Sequence, residues 1–386
     1  MMLILVLGHI LVLSKPMGWL IDQIISLAHD TRSAVILISI STMLVSFWNW
    51  GFGLIFGAIL ARKIGASFQQ KGIPFNYPLI GAAGYVGLMI WHGGVSGSAP
   101  LKVAESGHIA SLMQGISDPN VIAALPDQIS NAQTVFSWWN LLLFGIILIL
   151  VPLVLVLLSR KAKPTTFPFS KPTVESQTDL IDIDDNRLDR SKLLGIGFGL
   201  LILVAFFAQY FGKSFAPNTI NFLLLGLGIL FHGNFKNFLT AVEKAIGGAS
   251  GILIQFPLYF GIMGIMKSTG MVSMISDAFI AVSNGTTLSI FTFFSAGLVN
   301  VFVPSGGGQW AIQGPIVIES ALQLGVPLPK AIMALAYGDQ ITNMLQPFWA
   351  LPLLGITKLK AKEILPYTLI LMMVGSTVYI VGLWLL

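Results

Sequence analysis

Glycine, serine and amide side chains break into the long apolar runs of this chain at four places, and those breaks constrain its fold more than any other feature. The clearer pair lies in the second half, NVFVPSGGGQWAIQGP at 300–315 and ALAYGDQITNMLQPFWALP at 334–352. The first half carries a looser pair, FWNWGFG at 47–53 and WHGGVSGSAP at 91–100. Backbone cannot unwind beside lipid, because its N–H and C=O groups would lose every partner. It unwinds only where protein buries it or where it lines a watery cavity. Matching interruptions in the two halves of a membrane chain point to a transporter's central binding site.

Composition agrees with a membrane location. Of 386 residues, 55% are hydrophobic and 10% charged, where an average soluble domain has about 25% charged. The net charge is +5, but the basic residues cluster between apolar runs. There they read as topology signals rather than as a nucleic-acid patch. The chain has no Cys and five His, and no HExxH-like pair. Disulfides, thiolate chemistry and the common metal motifs are thereby excluded. Residues 1–13 look like a signal-peptide core but lack a basic start and a small-residue cleavage site. They are also too few for a crossing, which takes about 20 helical residues. The expectation is a chain that starts partway through a longer helix.

Apolar runs fall at 33–60, 76–95, 135–158, 193–211, 217–233, 249–266, 287–325, 331–356 and 364–386. One polar stretch, 159–192, separates a first repeat (1–158) from a second (193–386) and reads as a flexible cytoplasmic linker. Its Arg160, Lys161, Lys163, Lys171, Arg187, Arg190 and Lys192 place it inside, as do Arg62, Lys63 and Lys71 in one loop and Lys358, Lys360 and Lys362 in another. Segment 102–134, with one Lys against Glu105, Asp118 and Asp127, fits the outside as a polar loop. Tracing between these anchors, run 33–60 begins and ends inside and must turn back near Trp48–Gly53. Segment 287–325 begins and ends outside and must turn at Pro304–Gly308. Each hairpin precedes an interrupted crossing, so the sequence predicts an all-α polytopic membrane protein of two inverted-topology repeats. Residues 16–30 and 234–247 are amphipathic and are expected to lie at the interface.

The breaks carry the candidate site. PSGGGQ at 304–309 joins a helix-stopping Pro to three glycines whose N–H groups can face an anion. Ser305, Gly306, Gly307, Gly308, Gln309 and Gln313 are therefore read as binding a carboxylate. Asn49, Gly51 and Gly53 at the first hairpin tip, with Ser96, Gly97 and Ser98 in the matching break, face them as the other half of the substrate pocket. Asp339 sits deep in an apolar run, where an unpaired carboxylate is costly and marks a functional site. With Gln340, Thr342, Asn343 and Gln346 it offers oxygen ligands for a hard cation such as Na⁺, or it carries a proton. On a continuous helix 339, 342, 343 and 346 share a face. His92 lies beside the first break, where titration near neutral pH and a helix-end hydrogen bond are both open. Trp48, Trp50, Trp91, Trp310 and Trp349 flank the breaks, as pocket walls or as interface anchors.

WNWGFG, GGVSGS, VPSGGGQWAIQGP, AYGDQ and QPFWALP, in this order and spacing and joined by ILIQFPLYFGI at 252–262, closely resemble the bacterial short-chain fatty acid transporters of the AtoE type. The similarity runs over nearly the whole chain. The resemblance implies uptake of short monocarboxylates such as acetoacetate or butyrate. It also implies kinship with the ion-transporter superfamily of secondary carriers, whose folds show two inverted repeats, Na⁺ coupling and a homodimer built on scaffold helices. Relatives begin with further hydrophobic sequence before the position of Met1. They often have Glu where this chain has Asp339, and His where it has Gln309.

The expectation is a secondary transporter of short monocarboxylates in the bacterial cytoplasmic membrane, working by alternating access with Na⁺ or H⁺ as the coupling ion. Rivals are a carrier of another organic anion, a channel or sensor, and an intramembrane enzyme. No Arg lies near the breaks to clamp a second carboxylate. No GxSxG elbow is present.

Overall fold

The structure is a computed structural model, and it describes residues 2–114, 123–169, 187–211 and 217–385. Asp118 and the acidic centre of the linker, 170–186, lie outside the described residues. The first half runs through α1 (Met2–Val12), α2 (Lys15–Ser26), α3 (Thr31–Trp48), α4 (Trp50–Gln70), α5 (Tyr77–Ala83), α6 (Ser98–Val103), α7 (His108–Leu112) and α8 (Trp138–Lys161). The second runs through α9 (Lys192–Tyr210), α10 (Pro217–His232), α11 (Phe235–Ser268), α12 (Met271–Ala281) and α13 (Leu288–Phe302). It closes with α14 (Gly306–Gln323), α15 (Leu328–Thr342), α16 (Pro347–Thr357) and α17 (Ala361–Leu385). No strand occurs among the described residues. Helices α3, α4, α8, α9 and α17 are each long and apolar enough to cross a membrane.

The two expected turns are present. Asn49 ends α3 and begins α4 in an extended conformation, and its Oδ1 accepts the Phe52 N–H at 2.7 Å. The arms run back antiparallel, with Gly53 against Ser46 and Gly57 against Thr42. In the second half the chain turns between α13 and α14. Pro304 has no N–H to continue a helix, and Ser305 caps α14 by accepting the Gly308 N–H at 3.3 Å. Gln309 Nε2 then bridges back to Ala296 O at 2.8 Å, and Gln313 Nε2 to Ser295 Oγ at 3.1 Å. These two glutamines therefore pin the arms of the second hairpin together.

Each hairpin is followed by a broken helix. The second breaks where expected: α15 tightens into a 3₁₀ turn over Asn343–Leu345, and α16 restarts at Pro347. The first breaks earlier than the glycines at 93–98 suggest. Helix α5 stops at Ala83 and a 3₁₀ turn covers Val86–Met89, before an irregular stretch leads into α6. Close packing is the reason. A Cβ on Gly84 would lie 2.6 Å from Gly57 O, and one on Gly87 2.8 Å from Ser46 Cβ. The chain here follows the surface of the first hairpin instead of its own helical axis.

Two other expectations are corrected. Segment 234–247 and the run 249–266 are one 34-residue helix, α11, and α12 follows it where no apolar run was read. The beginning of the linker is docked rather than free. Asn76 Nδ2 donates to Lys163 O at 2.7 Å, the Thr165 N–H donates to Phe75 O at 2.8 Å, and Phe167 and Phe169 lie 4.6 and 4.7 Å from the Tyr77 ring.

The basic loops gather at one end of the molecule. Arg62 Nη1 donates to Ile356 O at 2.7 Å and Tyr77 OH to Thr357 O at 3.0 Å, which brings the Arg62, Lys163 and Lys358 segments together. At the other end Ile109, Met113 and Ile129 of the 103–134 segment pack against Val317 of α14, Val326 and Leu328. That separation is the one expected when positive charge marks the cytoplasmic side. The two halves interlock through the breaks.

Candidate functional site

The two broken helices meet at the centre of the fold, and hydrogen bonds join them. The first break is held to the first hairpin by Val95 N–H to Phe47 O (2.7 Å) and Trp50 N–H to Ser96 Oγ (2.9 Å). On its other side His92 N–H and Gly93 N–H both donate to Gln340 Oε1, at 2.7 and 2.9 Å. Gln340 Nε2 donates to Tyr379 OH (2.8 Å), whose hydroxyl donates to Met89 O (3.0 Å). Asn140 Nδ2 donates to Gly93 O (2.9 Å) while its Oδ1 accepts from Tyr337 OH (2.6 Å). Tyr85 OH donates to Asn343 O at 2.9 Å. Unwound backbone in both breaks thus finds side-chain and main-chain partners from other elements.

Asp339 pairs with His92. Both side chains are buried, with 1% and 0% of their surface exposed, and Asp339 Oδ2 meets His92 Nδ1. The Ala99 N–H, at the start of α6, donates to His92 Nε2 at 3.0 Å. A backbone N–H only donates, so Nε2 is the bare nitrogen and Nδ1 carries the proton it gives to Asp339. The imidazole thus faces Asp339 in its neutral form, as a donor to one carboxyl oxygen. Asp339 Oδ1 makes no hydrogen bond.

Asn300, on the second hairpin, is the hub beside it. Its Nδ2 donates to Asp339 O (2.6 Å), Thr342 Oγ1 (2.8 Å) and Asn343 Oδ1 (2.8 Å), and Gln346 Nε2 donates to Asn300 O. Residues 342, 343 and 346 do share a face toward this hairpin. The Asp339 carboxyl instead turns toward His92. Gln340 has its amide fully committed to the first break and Tyr379.

Three indoles from three elements, Trp50, Trp91 and Trp349, converge with ring centres 5.3 to 6.5 Å apart, and the Trp91 ring stacks on His92 at 4.6 Å. Gly306 comes up against this stack. A Cβ there would lie 2.7 Å from His92 Cε1 and 2.9 Å from Trp91 Cη2, so only glycine lets the second hairpin tip reach the imidazole.

The expected pocket residues divide accordingly. Ser96, Gly97, Ser305, Gly306, Gln309, Asp339, Asn343 and Gln346 are buried around the junction. Ser98 opens α6, and Gly307 and Gly308 are half-buried in the first turn of α14. Gly51 and Gly53 serve packing: Gly51 faces the Leu5 backbone of α1, and Gly53 faces Ser46. His92 and Asn300 are the residues the sequence leaves unassigned. His92 carried a visible signal beside its break; Asn300 is one polar side chain in an apolar helix, with no local pattern to mark it.

Outside the junction, Trp310 Nε1 donates to His108 Nε2 at 3.1 Å and ties the second hairpin to the 103–134 segment. Burial, then the Lys102 ammonium, lower the His108 pKa, with Glu105 opposing. A lowered imidazole pKa stabilises the fold above its ordinary value of about 6.5, and that stability is lost as pH falls through 6.5 toward the folded value. The melting temperature is expected to fall between pH 7.5 and 5.5, and less steeply in His108→Gln, which accepts the indole proton without titrating. Identical pH profiles would remove His108 from this account.

An apolar helical shell around two broken helices, joined by a buried carboxylate and amides, defines a multi-pass membrane transporter. The chain belongs to the short-chain fatty acid transporter family, which it matches over residues 1–386. It is 34% identical over 391 residues to an Escherichia coli K12 protein named "Putative short-chain fatty acid transporter", covering 99% of this chain and 85% of that one. A Haemophilus influenzae protein of the same name is 34% identical over 395 residues, covering 100% and 86%. Among solved structures the fold is similar to the YdaH transporter of Alcanivorax borkumensis, with TM-score 0.53, 17% identity and coverage of 99% and 83%. It is also similar to MtrF of Neisseria gonorrhoeae, an antimetabolite efflux pump, with TM-score 0.52, 14% identity and coverage of 98% and 80%.

Proposed function

We propose that this protein carries short-chain monocarboxylates across the bacterial cytoplasmic membrane by alternating access, coupled to a cation. The observation that carries the reading is the buried Asp339 carboxylate at the junction of the two breaks, with one oxygen held by His92 and the other unpaired. Asn300 Oδ1 and Gln346 Oε1 are likewise buried without a hydrogen bond. Unpartnered oxygens are the ligand type a hard cation takes, and Asp339 is the one among them that can carry charge. A single carboxylate suits a monovalent one, and among the described residues no group of three His, Cys, Asp or Glu gathers to hold a more highly charged metal. Na⁺ fits an oxygen site built on that carboxyl.

The substrate carboxylate would meet the first turn of α14, where the Gly306 and Gly307 N–H groups point out of the helix start beside Ser305. The two hairpins are read as re-entrant and the halves as inverted repeats, since each half has a hairpin followed by a broken helix and the basic loops share one end. The test is radiolabelled butyrate uptake into proteoliposomes under an imposed Na⁺ gradient and, separately, a proton gradient. Accumulation above equilibrium under one gradient is expected. Equilibration without accumulation would make the protein a channel, and absence of uptake by folded protein would sink the substrate assignment.

A further inference from the structure

Away from the junction, a cavity of about 360 Å³ opens at the end of the molecule opposite the basic loops, between the starts of α8 and α15 and the end of α17. Lys330, Gln133, Ser137, Trp138 and Trp139 line its polar side. Leu143, Gly382 and Leu383 complete the lining, and a smaller, mainly aliphatic cavity shares Leu143 and Gly382 with it. No acidic residue borders it, and Lys330 has no carboxylate partner among the described residues. Lys330 also stands in the first turn of α15. There its charge adds to the positive end of the helix dipole instead of balancing it. A cation placed against its helix, half-buried and without a counter-ion, leaves a local positive potential that an anion would relieve.

The cavity is tied to the centre through α15 and the Trp139 ring. Lys330 precedes Asp339 by nine residues on one helix, about 13.5 Å at 1.5 Å per residue. The Trp139 ring meets Tyr337 edge-on at 6.4 Å, and Tyr337 OH donates to Asn140, which holds Gly93 of the first break. Trp139, Tyr337 and Asn140 thus form a continuous relay from the cavity wall to the first break. Its lining combines one cation and polar groups with apolar walls, which suits an amphiphile with one carboxylate and a short tail.

We infer that Lys330, with Gln133 and the Trp138–Trp139 wall, forms a peripheral capture site for the monocarboxylate, which binds there before it reaches the central junction. This rests on the transport reading above. The capture site raises the local concentration of the anion at the mouth of the carrier, so it governs KM and not turnover.

The test is butyrate uptake by wild type, Lys330→Gln, Lys330→Glu and Lys330→Arg in zwitterionic phosphatidylcholine vesicles, with ionic strength varied by choline chloride. KM is expected to rise about 10-fold in the Gln variant and further in the Glu variant, with Vmax kept and with Arg near wild type. The wild-type KM is expected to climb with ionic strength and the Gln variant's to stay flat, because salt screens a charge the variant lacks. Unchanged KM in Gln and Glu, an Arg variant as impaired as Gln, or a flat wild-type salt curve would each overturn the capture site and leave the transport reading standing. A KM effect that appears only when phosphatidylglycerol is added would make the cavity a lipid headgroup seat and overturn it too. Wild type that moves no butyrate would instead bring down the transport reading, and the capture site with it.

Discussion

Asp339→Asn is expected to abolish gradient-driven accumulation of butyrate, with initial uptake falling at least about 100-fold, which corresponds to about 2.7 kcal/mol of lost stabilisation along the transport cycle. The carboxamide is nearly isosteric, and its oxygen can still accept the His92 Nδ1 proton where Asp339 Oδ2 now does. The substitution therefore spares the packing and the hydrogen bond while removing a side chain that can carry negative charge. A protein that merely needs a polar group at 339 for folding would tolerate it. A carrier that binds its coupling cation on the free Oδ1 would not. Asp339→Glu keeps the carboxyl group, so partial accumulation is expected there. The comparison is made in proteoliposomes under the gradient that powers the wild type, with the melting temperature of each variant recorded. Normal accumulation by a folded Asn variant would remove Asp339 from the coupling site.

The second large effect is on the fold itself. Gly338→Ala is expected to destabilise the protein by about 2–3 kcal/mol, the upper range for overpacking a tight interior. Helices α13 and α15 cross at this residue. A Cβ on Gly338 would fall on the Phe293 carbonyl and come within 2.9 Å of Ala296 Cβ. Neither neighbour can move aside, since one is helix backbone and the other is rooted on it. Forcing α13 away would also pull Asn300 from Asp339 O and Thr342, so transport should fail together with stability. Gly145, with nothing within 4 Å of its Cβ position, is the control, and Gly145→Ala should leave the melting temperature unchanged. If the two variants melt alike, the close crossing is not what holds the second hairpin against α15.

The site was readable in outline because it breaks the rule that governs the rest of the chain. Polar and glycine residues in apolar runs are expensive beside lipid, so NWGFG, GGVSGS, PSGGGQ and GDQITNMLQ stood out without any knowledge of what they touch. The hairpin turns near Trp48–Gly53 and Pro304–Gly308 followed from the placement of the basic loops and the lengths of the apolar runs between them. What each break touches was not local information. His92 and Asp339 are 247 residues apart. Gly51 and Gly53 carry the same glycine signal as Gly306, yet two of them pack against α1 and Ser46 and the third against His92.

Sequence by itself determined a multi-pass helical membrane protein, its two hairpin turns, its second break and the family to which it belongs. Hydrophobic length, charge placement and the cost of unpaired backbone in lipid act along the chain and leave their mark on it. Only the tertiary structure decided that the carboxylate faces a neutral histidine, that Asn300 ties the second hairpin to α15, that Gln340 is spent on holding the first break, and that Lys330 opens onto a cavity. Those facts depend on which helices cross and at what distance. That is set by the sum of close contacts between segments far apart in sequence, where a single missing Cβ admits or forbids the approach.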